Sequence, residues 1–505
     1  MALPWSAHLP DPSHDWLPDE LAARSLTAAW GRRWREDPDR PALWAEGDGW
    51  VSRGELDRRS AAVAGHLRSL GVGPGARVLL SAASSIELVV SHAAVLRAGA
   101  IVVPVHTGYT ERELGHVLAD AEPVLAILDE PGRTAAIAAD LPVIAPGDGA
   151  DGEAPDDLDR AGPDDPALLP YTSGTTGRPK GVVLRHRNLV AGAAAVATAW
   201  RWTDADRLVL CLPLFHMHGL GVGIHGTLLT GGSAVILPRF EPDAVFDAAA
   251  EHDASMYFGV PTMYARLVDH DRVAELGRLR LCVSGSAPLP AELHVALTER
   301  TGQRVIERYG MTETVMNISN PFDGDRRPGS VGLPLPGVEA RIAGGADEGE
   351  IELRGPNVFS EYWGRPDATA EAFTADGWFR TGDVGTQDDD GYWRIVGRSK
   401  ELIISGGFNV FPREVEDVLV EHPAVAEAAV AGTPDDEWGE IVTAIVVADG
   451  GQPVDEDELR SFCADRLVNY KRPRLVHVVD SLPRNAMGKI VRPDVDALAR
   501  ELAAG

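Results

Sequence analysis

Cysteine is scarce in this chain. There are three in 505 residues, Cys211, Cys282 and Cys463, far apart and without a CxxC spacing. That argues against a disulfide framework or a thiolate zinc site, fits a reducing cytoplasm, and predicts three buried, inert thiols. Basic residues are also in deficit: 47 Lys and Arg face 76 Asp and Glu, a net charge of -29. A broad nucleic-acid surface or anionic-membrane surface needs the opposite sign. Any anionic ligand must therefore be held by local groups. A long uninterrupted apolar run is missing too. Residues 208–238 contain no Asp, Glu, Lys or Arg, but three histidines, two prolines and six glycines break them up. A spanning helix needs about 20 mostly apolar residues, so this segment reads as a buried strand, a loop and a helix beside a ligand. The opening MALPWSAHLPDPSHDW has no basic start followed by an apolar core, and no secretory signal is expected.

What is present is α/β patterning. Residues 15–70 read as a helix-rich start, in which AARSLTAAWGRRW and ELDRRSAAVAGHLRSLGVGPG carry helical spacing and the second ends at a glycine stop. Strands and helices then alternate: ARVLLSAA, IELVVSHAAVLRAGA, IVVPV, HVLADAEPVLAILD and PVIAP. Such alternation predicts a largely parallel sheet. Residues 145–167 are acidic and rich in Pro and Gly, a surface connection. The pattern resumes to about 320, gives way to shorter strands over 325–397, and returns as small α+β units after 400.

Four stretches carry chemistry. The first is YTSGTTGRPKGVVL, residues 171–184. Backbone N–H groups, hydroxyls of Thr172, Ser173, Thr175 and Thr176, and Lys180 can wrap a polyphosphate, with Gly174 allowing close approach. The spacing is not that of a P-loop, which has four residues between its first glycine and Gly-Lys-Ser/Thr; a plain polar turn is the competing reading. The second is ERYGMTET, residues 307–314. Glu313 between Thr312 and Thr314 can hold Mg²⁺ against phosphate oxygens, and Tyr309 can stack on a base; a helix cap is the competing reading. The third pairs Asp383 of GWFRTGD with Arg398 of GRSK, as ribose ligands or as surface ion-pair partners. The fourth is RNAMGK, where Lys489 follows a glycine; a lone lysine near the end of a chain is usually solvated.

Order decides between these readings. TSGTTGRPKG, GSAPLP, ERYGMTE, GWFRTGD, GRSKELI, GGFNVFPREVE and PRNAMGK, in this sequence, resemble the motifs of the acyl-adenylate-forming superfamily from about residue 170 to 490. The resemblance implies a large N-terminal domain of αβ-layered subdomains, residues 1–398, and a small α+β lid, residues 399–505, with the hinge at Lys400. It implies attack of a carboxylate on the α-phosphate of ATP, then transfer of the acyl group to CoA. By the same resemblance, Lys489 bridges carboxylate and α-phosphate, Glu313 holds Mg²⁺, and residues 172–176 with Lys180 hold the leaving phosphates. Gly285, Ser286, Ala287, Pro288, Glu307, Arg308, Tyr309, Gly310, Met311 and Thr312 line the nucleotide; Asp383 and Arg398 take the ribose. Gly406 and Gly407 leave room for pantetheine, and Lys471 and Arg472 are candidates for the CoA phosphates. Acetylation of Lys489 by a lysine acetyltransferase is a further implication.

For the acid, PLFHMHGLGVG aligns with the family's pocket helix. His216 takes the gating position, His218 and Met217 face the acyl group, and Ser284, Arg308 and Met316 come from the other side. A guanidinium at the acyl end can take a second carboxylate in two charge-assisted bonds. On this point the chain resembles the malonyl-CoA synthetases, some of which also accept methylmalonate. Arg280 is a second candidate, with structural pairing as its alternative. A short- or medium-chain fatty acyl-CoA synthetase and a stand-alone enzyme loading a carrier protein are the alternatives for the whole chain.

Overall fold

The computed structural model describes residues 5–134, 138–172, 179–405, 408–435, 438–450, 454–485 and 489–504. The chain forms two compact units. The first takes in Met1–Ala340, Leu353–Phe379 and Asp388–Trp393; the second takes in Arg341–Glu352, Arg380–Gln387 and Arg394–Gly505. This is the expected mixed α/β architecture with a large N-terminal and a small C-terminal part.

Two sheets organise the first unit. In the nine-stranded sheet, Ile306–Tyr309, Leu281–Ser284, Met256–Gly259, Arg207–Leu210, Ser233–Ile236 and Pro41–Ala45 run side by side and parallel. Its outer strands, Gly49–Ser52 at one edge and Ile318–Ser319 with Leu333–Pro334 at the other, are antiparallel. The inner strands LVL, MYFG and LCVS are buried on both faces, as expected of strands covered on both sides by helices. The second sheet is built around Arg77–Ser81, Ile101–Pro104, Leu125–Leu128 and Lys180–Arg185. Its helices start on capping groups legible in the sequence. Ser85 accepts from the Leu88 N–H, and Thr110 and Glu113 form a reciprocal capping box.

One expectation fails. The helix-rich start also contains the antiparallel pair Pro41–Ala45 and Gly49–Ser52. PALWA pairs in parallel with Ser233–Ile236, nearly 200 residues on. Its turn, with Gly47 at φ 90° and Gly49 at φ 72°, is a local signal. Its partner strand is not local.

In the second unit, a sheet in the order Phe408–Val410, Ile403–Ser405, Gly439–Ala448, Val425–Asp435 has Leu475–Val479 parallel to Gly439–Ala448. The helices Pro412–Val420 and Glu456–Ala464 bury Val415, Leu419, Leu459 and Cys463 in its core. The three cysteines are free and buried. Burial pushes the thiols of Cys211 and Cys282 up to about 12. No helix among the described residues is long and apolar enough to cross a membrane.

Candidate active site

Strand order reverses beside Arg207–Leu210. Its next strand in sequence, Ser233–Ile236, lies on one side, and Met256–Gly259 lies on the other. In an open α/β sheet the crevice beyond the carboxyl ends at such a point is where ligands bind. Most of the predicted first-unit motifs leave the sheet at these ends. FHMHG follows Leu210, SGSAP closes Leu281–Ser284, and RYGMTE closes Ile306–Tyr309. Residues 208–238 form the strand, loop and helix expected of them. The turn His218–Ile224 is π-helical and wholly buried, an arrangement found mostly at functional sites. Met217 is folded so closely against Gly221 that a Cβ there would collide with its methyl group.

Arg308 is the outstanding charge of this crevice. It is 5 % exposed. Among the described residues its Nε and Nη2 have no hydrogen-bond partner, and it makes no ion pair. Burial alone lowers the guanidinium from 12.5 to about 9. The neighbouring carboxylate in sequence, Glu307, points to the opposite face of the strand, where it accepts from the Leu289 N–H at 2.9 Å. Gly285 faces Arg308, and a Cβ on it would run into the guanidinium. Ser284, on the paired strand, is fully buried and its hydroxyl also lacks a partner among the described residues. Ser286 holds φ 70°, with its Oγ 3.4 Å from Nδ1 of the buried His218, whose ring stacks on Phe258. His216 Nδ1 accepts from the His218 N–H at 3.3 Å. Met316 is fully buried. Val315, just before it, sits at φ 59°, a strained conformation for a β-branched residue of the kind stored at functional sites.

A second cluster joins the phosphate-loop stretch to ERYGMTET. Thr172 and Lys180 face each other in an antiparallel pair; Ser173, Gly174, Thr175 and Thr176 lie outside the described residues. Lys180 Nζ stands 4.9 Å from the centre of the Tyr362 ring, and the Tyr362 hydroxyl donates to Glu313 Oε1 at 3.0 Å. Glu313 is 7 % exposed. Tyr362 was not singled out in the sequence. Its partners are far from it along the chain, and EYWGRP carries no local signal of either contact. No group of three His, Cys, Asp or Glu residues able to hold a metal occurs among the described residues. The single buried carboxylate of Glu313 fits Mg²⁺, which is typically bound by one or two carboxylates together with substrate phosphates and water.

The other predicted residues differ in burial and pairing. Ala287 and Pro288 are exposed, whereas Tyr309, Gly310, Met311 and Thr312 are half-buried. Arg280 precedes its strand and so stands at the opposite end from Ser284. It grips Asp206 with Nε and Nη2 at 2.5 and 2.6 Å and donates from Nη1 to the Trp200 carbonyl, which is the structural pairing. In the second unit Arg398 Nε lies 3.0 Å from the buried Asp383 carboxylate. Lys471 pairs with Glu414, and Arg472 donates to the Leu467 carbonyl. Lys400 and Lys489 are exposed. The Lys489 N–H donates to Asn485 Oδ1 at 3.0 Å. Gly406 and Gly407 lie outside the described residues.

Comparison with known proteins agrees with this geometry. Residues 30–363 match the AMP-binding enzyme family, and residues 414–489 match the AMP-binding enzyme C-terminal domain. A feruloyl-CoA synthase from an Amycolatopsis species is 40% identical over 480 residues, covering 92% of this chain and 97% of that protein. A malonate–CoA ligase from Arabidopsis thaliana is 38% identical, covering 83% and 78%. The ATP-bound crystal structure of MatB from Rhodopseudomonas palustris superposes with a TM-score of 0.89 at 41% identity, covering 94% of this chain and 99% of that one. With both parts matched in order, and three of the motifs gathered at the carboxyl ends of one sheet, the chain belongs to the AMP-binding enzyme family and is an ATP-dependent, AMP-forming acyl-CoA ligase of the adenylate-forming superfamily.

Proposed function

We propose that the acid is a small dicarboxylate, malonate with methylmalonate as a second substrate, and that Arg308 takes its distal carboxylate. The carrying observation is the buried guanidinium, which has no counter-ion among the described residues. A dicarboxylate supplies it with acceptors; a fatty or aromatic acid leaves the charge uncompensated. The likeness to a malonate–CoA ligase and to MatB supports this reading. The extra methyl of methylmalonate would meet Met217 and Met316. Feruloyl transfer is the second reading, favoured by the 40% identity to a feruloyl-CoA synthase.

Chemistry runs in two displacements. The proximal carboxylate oxygen attacks the α-phosphorus of ATP, and the bond to the β-phosphate oxygen breaks, giving acyl-AMP and pyrophosphate. The CoA sulfur then attacks the acyl carbon, its proton is lost, and AMP leaves. Both steps rest on positioning and charge stabilisation. Thr172 and Lys180 hold the β- and γ-phosphates. Lys489 bridges carboxylate and α-phosphate, and His216 gates the carboxylate. Asp383 and Arg398 bind the ribose. Glu313 holds Mg²⁺, which when bound neutralises charge on the phosphates. A lid of residues 399–505 turning at Lys400, which exchanges Lys489 for Gly406 and Gly407, and CoA phosphate contacts from Lys471 and Arg472, rest on the resemblance. So does acetylation of Lys489, which would remove its charge.

The test offers malonate, methylmalonate, succinate, acetate, butyrate, octanoate and ferulate with ATP, Mg²⁺ and CoA, and reads AMP and acyl-CoA by mass spectrometry. Preference for malonate and methylmalonate, with Arg308→Ala raising the malonate KM far more than that of ATP, supports the proposal. Preference for ferulate, butyrate or octanoate, or an unchanged malonate KM, removes it. Product only with a carrier protein and none with CoA points to carrier loading.

A further inference from the structure

We propose that Tyr362 is a positioning residue that locks the carboxylate of Glu313 and the ammonium of Lys180 into one phosphate-binding unit. The inference rests on the reading of Glu313 as the magnesium ligand and of Lys180 as a phosphate contact.

The backbone places Tyr362 between the two. Its strand, Glu361–Tyr362, pairs with Lys180–Arg185, with Tyr362 opposite Val182 and the Trp363 N–H donating to the Gly181 carbonyl at 2.8 Å. Three residues before Tyr362, the Phe359 N–H donates to the Glu313 carbonyl at 2.8 Å. One short segment is thus hydrogen-bonded to both partner segments. The Tyr362 N–H faces Thr369 Oγ1 at 3.0 Å, and the ring packs edge-on against Phe359 at 4.8 Å. The side chain is held from three directions and has little rotamer freedom.

Each end of the phenol does one job. The ring face receives the Lys180 ammonium, an attraction that aims the amine without neutralising it. The phenol O–H donates to Glu313 Oε1 at 3.0 Å and fixes the plane of the carboxylate. Partners that orient metal ligands in this way typically contribute 10–100-fold to metal affinity.

Two substitutions separate the jobs. Tyr362→Phe keeps the ring under Lys180 and removes the bond to Glu313. Tyr362→Leu removes both. The readout is equilibrium ATP binding by calorimetry, in Mg²⁺ and in EDTA, with circular dichroism confirming the fold. Tyr362→Phe is expected to weaken binding about 10-fold in Mg²⁺ and to leave binding in EDTA unchanged. Tyr362→Leu is expected to weaken binding in EDTA as well. In a Glu313→Gln background, Tyr362→Phe is expected to add nothing. Wild-type affinity in Mg²⁺ for Tyr362→Phe, or an equal loss in both media, overturns the inference. Wild-type protein that binds ATP equally in Mg²⁺ and EDTA overturns the reading of Glu313 itself, and is distinguishable because no variant is needed to see it.

Discussion

Replacing Arg308 with methionine should stabilise the ligand-free protein while removing its acid preference. The side chain is buried without an ion pair among the described residues, and burial lowers its guanidinium from 12.5 to about 9. That difference corresponds to about 5 kcal/mol of lost ionic solvation. Water reaching the crevice relieves part of it, so the expected gain is about 1–4 kcal/mol, the range seen when buried ionic groups give way to apolar ones of similar volume. At about 1 °C per kcal/mol for a chain of this size, Arg308→Met should melt about 1–4 °C higher at pH 7.5. The sign can be checked against pH. The folded-state value lies below the unfolded one, so the penalty is fully present below pH 9. It fades as pH rises through 9, and the advantage of the variant should shrink there. Scanning fluorimetry supplies the assay, with and without malonate. Malonate should raise the wild-type melting temperature and leave that of Arg308→Met unmoved. A variant that melts several degrees below wild type would mean that Arg308 holds the fold together, and the argument from an uncompensated charge would fall.

Three further outcomes are expected. Gly285→Ala, whose methyl group would collide with the guanidinium, should raise the malonate KM as Arg308→Ala does; an unchanged KM would show that Arg308 moves aside without consequence. Acid should unfold the protein early, because burial lowers His8 and His186 to about 4, His92 to about 3, and His225 well below 6.5. Below pH 6.5 the unfolded chain takes up protons that the folded chain refuses, so stability falls with pH, by about 1 kcal/mol per histidine between 6.5 and 5.5; a flat melting temperature across that interval would contradict it. Lys489→Ala should lose most of its ATP–pyrophosphate exchange yet still form thioester from a supplied acyl-adenylate, and equal loss of both half-reactions would place Lys489 outside the first step.

Much of the architecture was legible because it is locally encoded. The buried helix Ile86–Arg97 and the strand Leu281–Ser284 follow from runs of apolar residues bounded by turn signals. The pair Pro41–Ala45 and Gly49–Ser52 was not, because PALWA gains its place by pairing with Ser233–Ile236. The two arginine candidates show the same limit. Arg280 and Arg308 are equivalent as residue types, but they stand at opposite ends of neighbouring strands, one gripping Asp206 and the other without an ion pair among the described residues.

By itself the sequence determined the class of fold and the superfamily, and singled out the stretches proposed to handle the nucleotide, since those follow from periodicity and from motifs in fixed order. Only the tertiary structure decided which charge lacks a partner among the described residues and that Tyr362 stands between Lys180 and Glu313. The physical reason is that desolvation and pairing depend on everything around a group, and those neighbours come from segments tens to hundreds of residues apart.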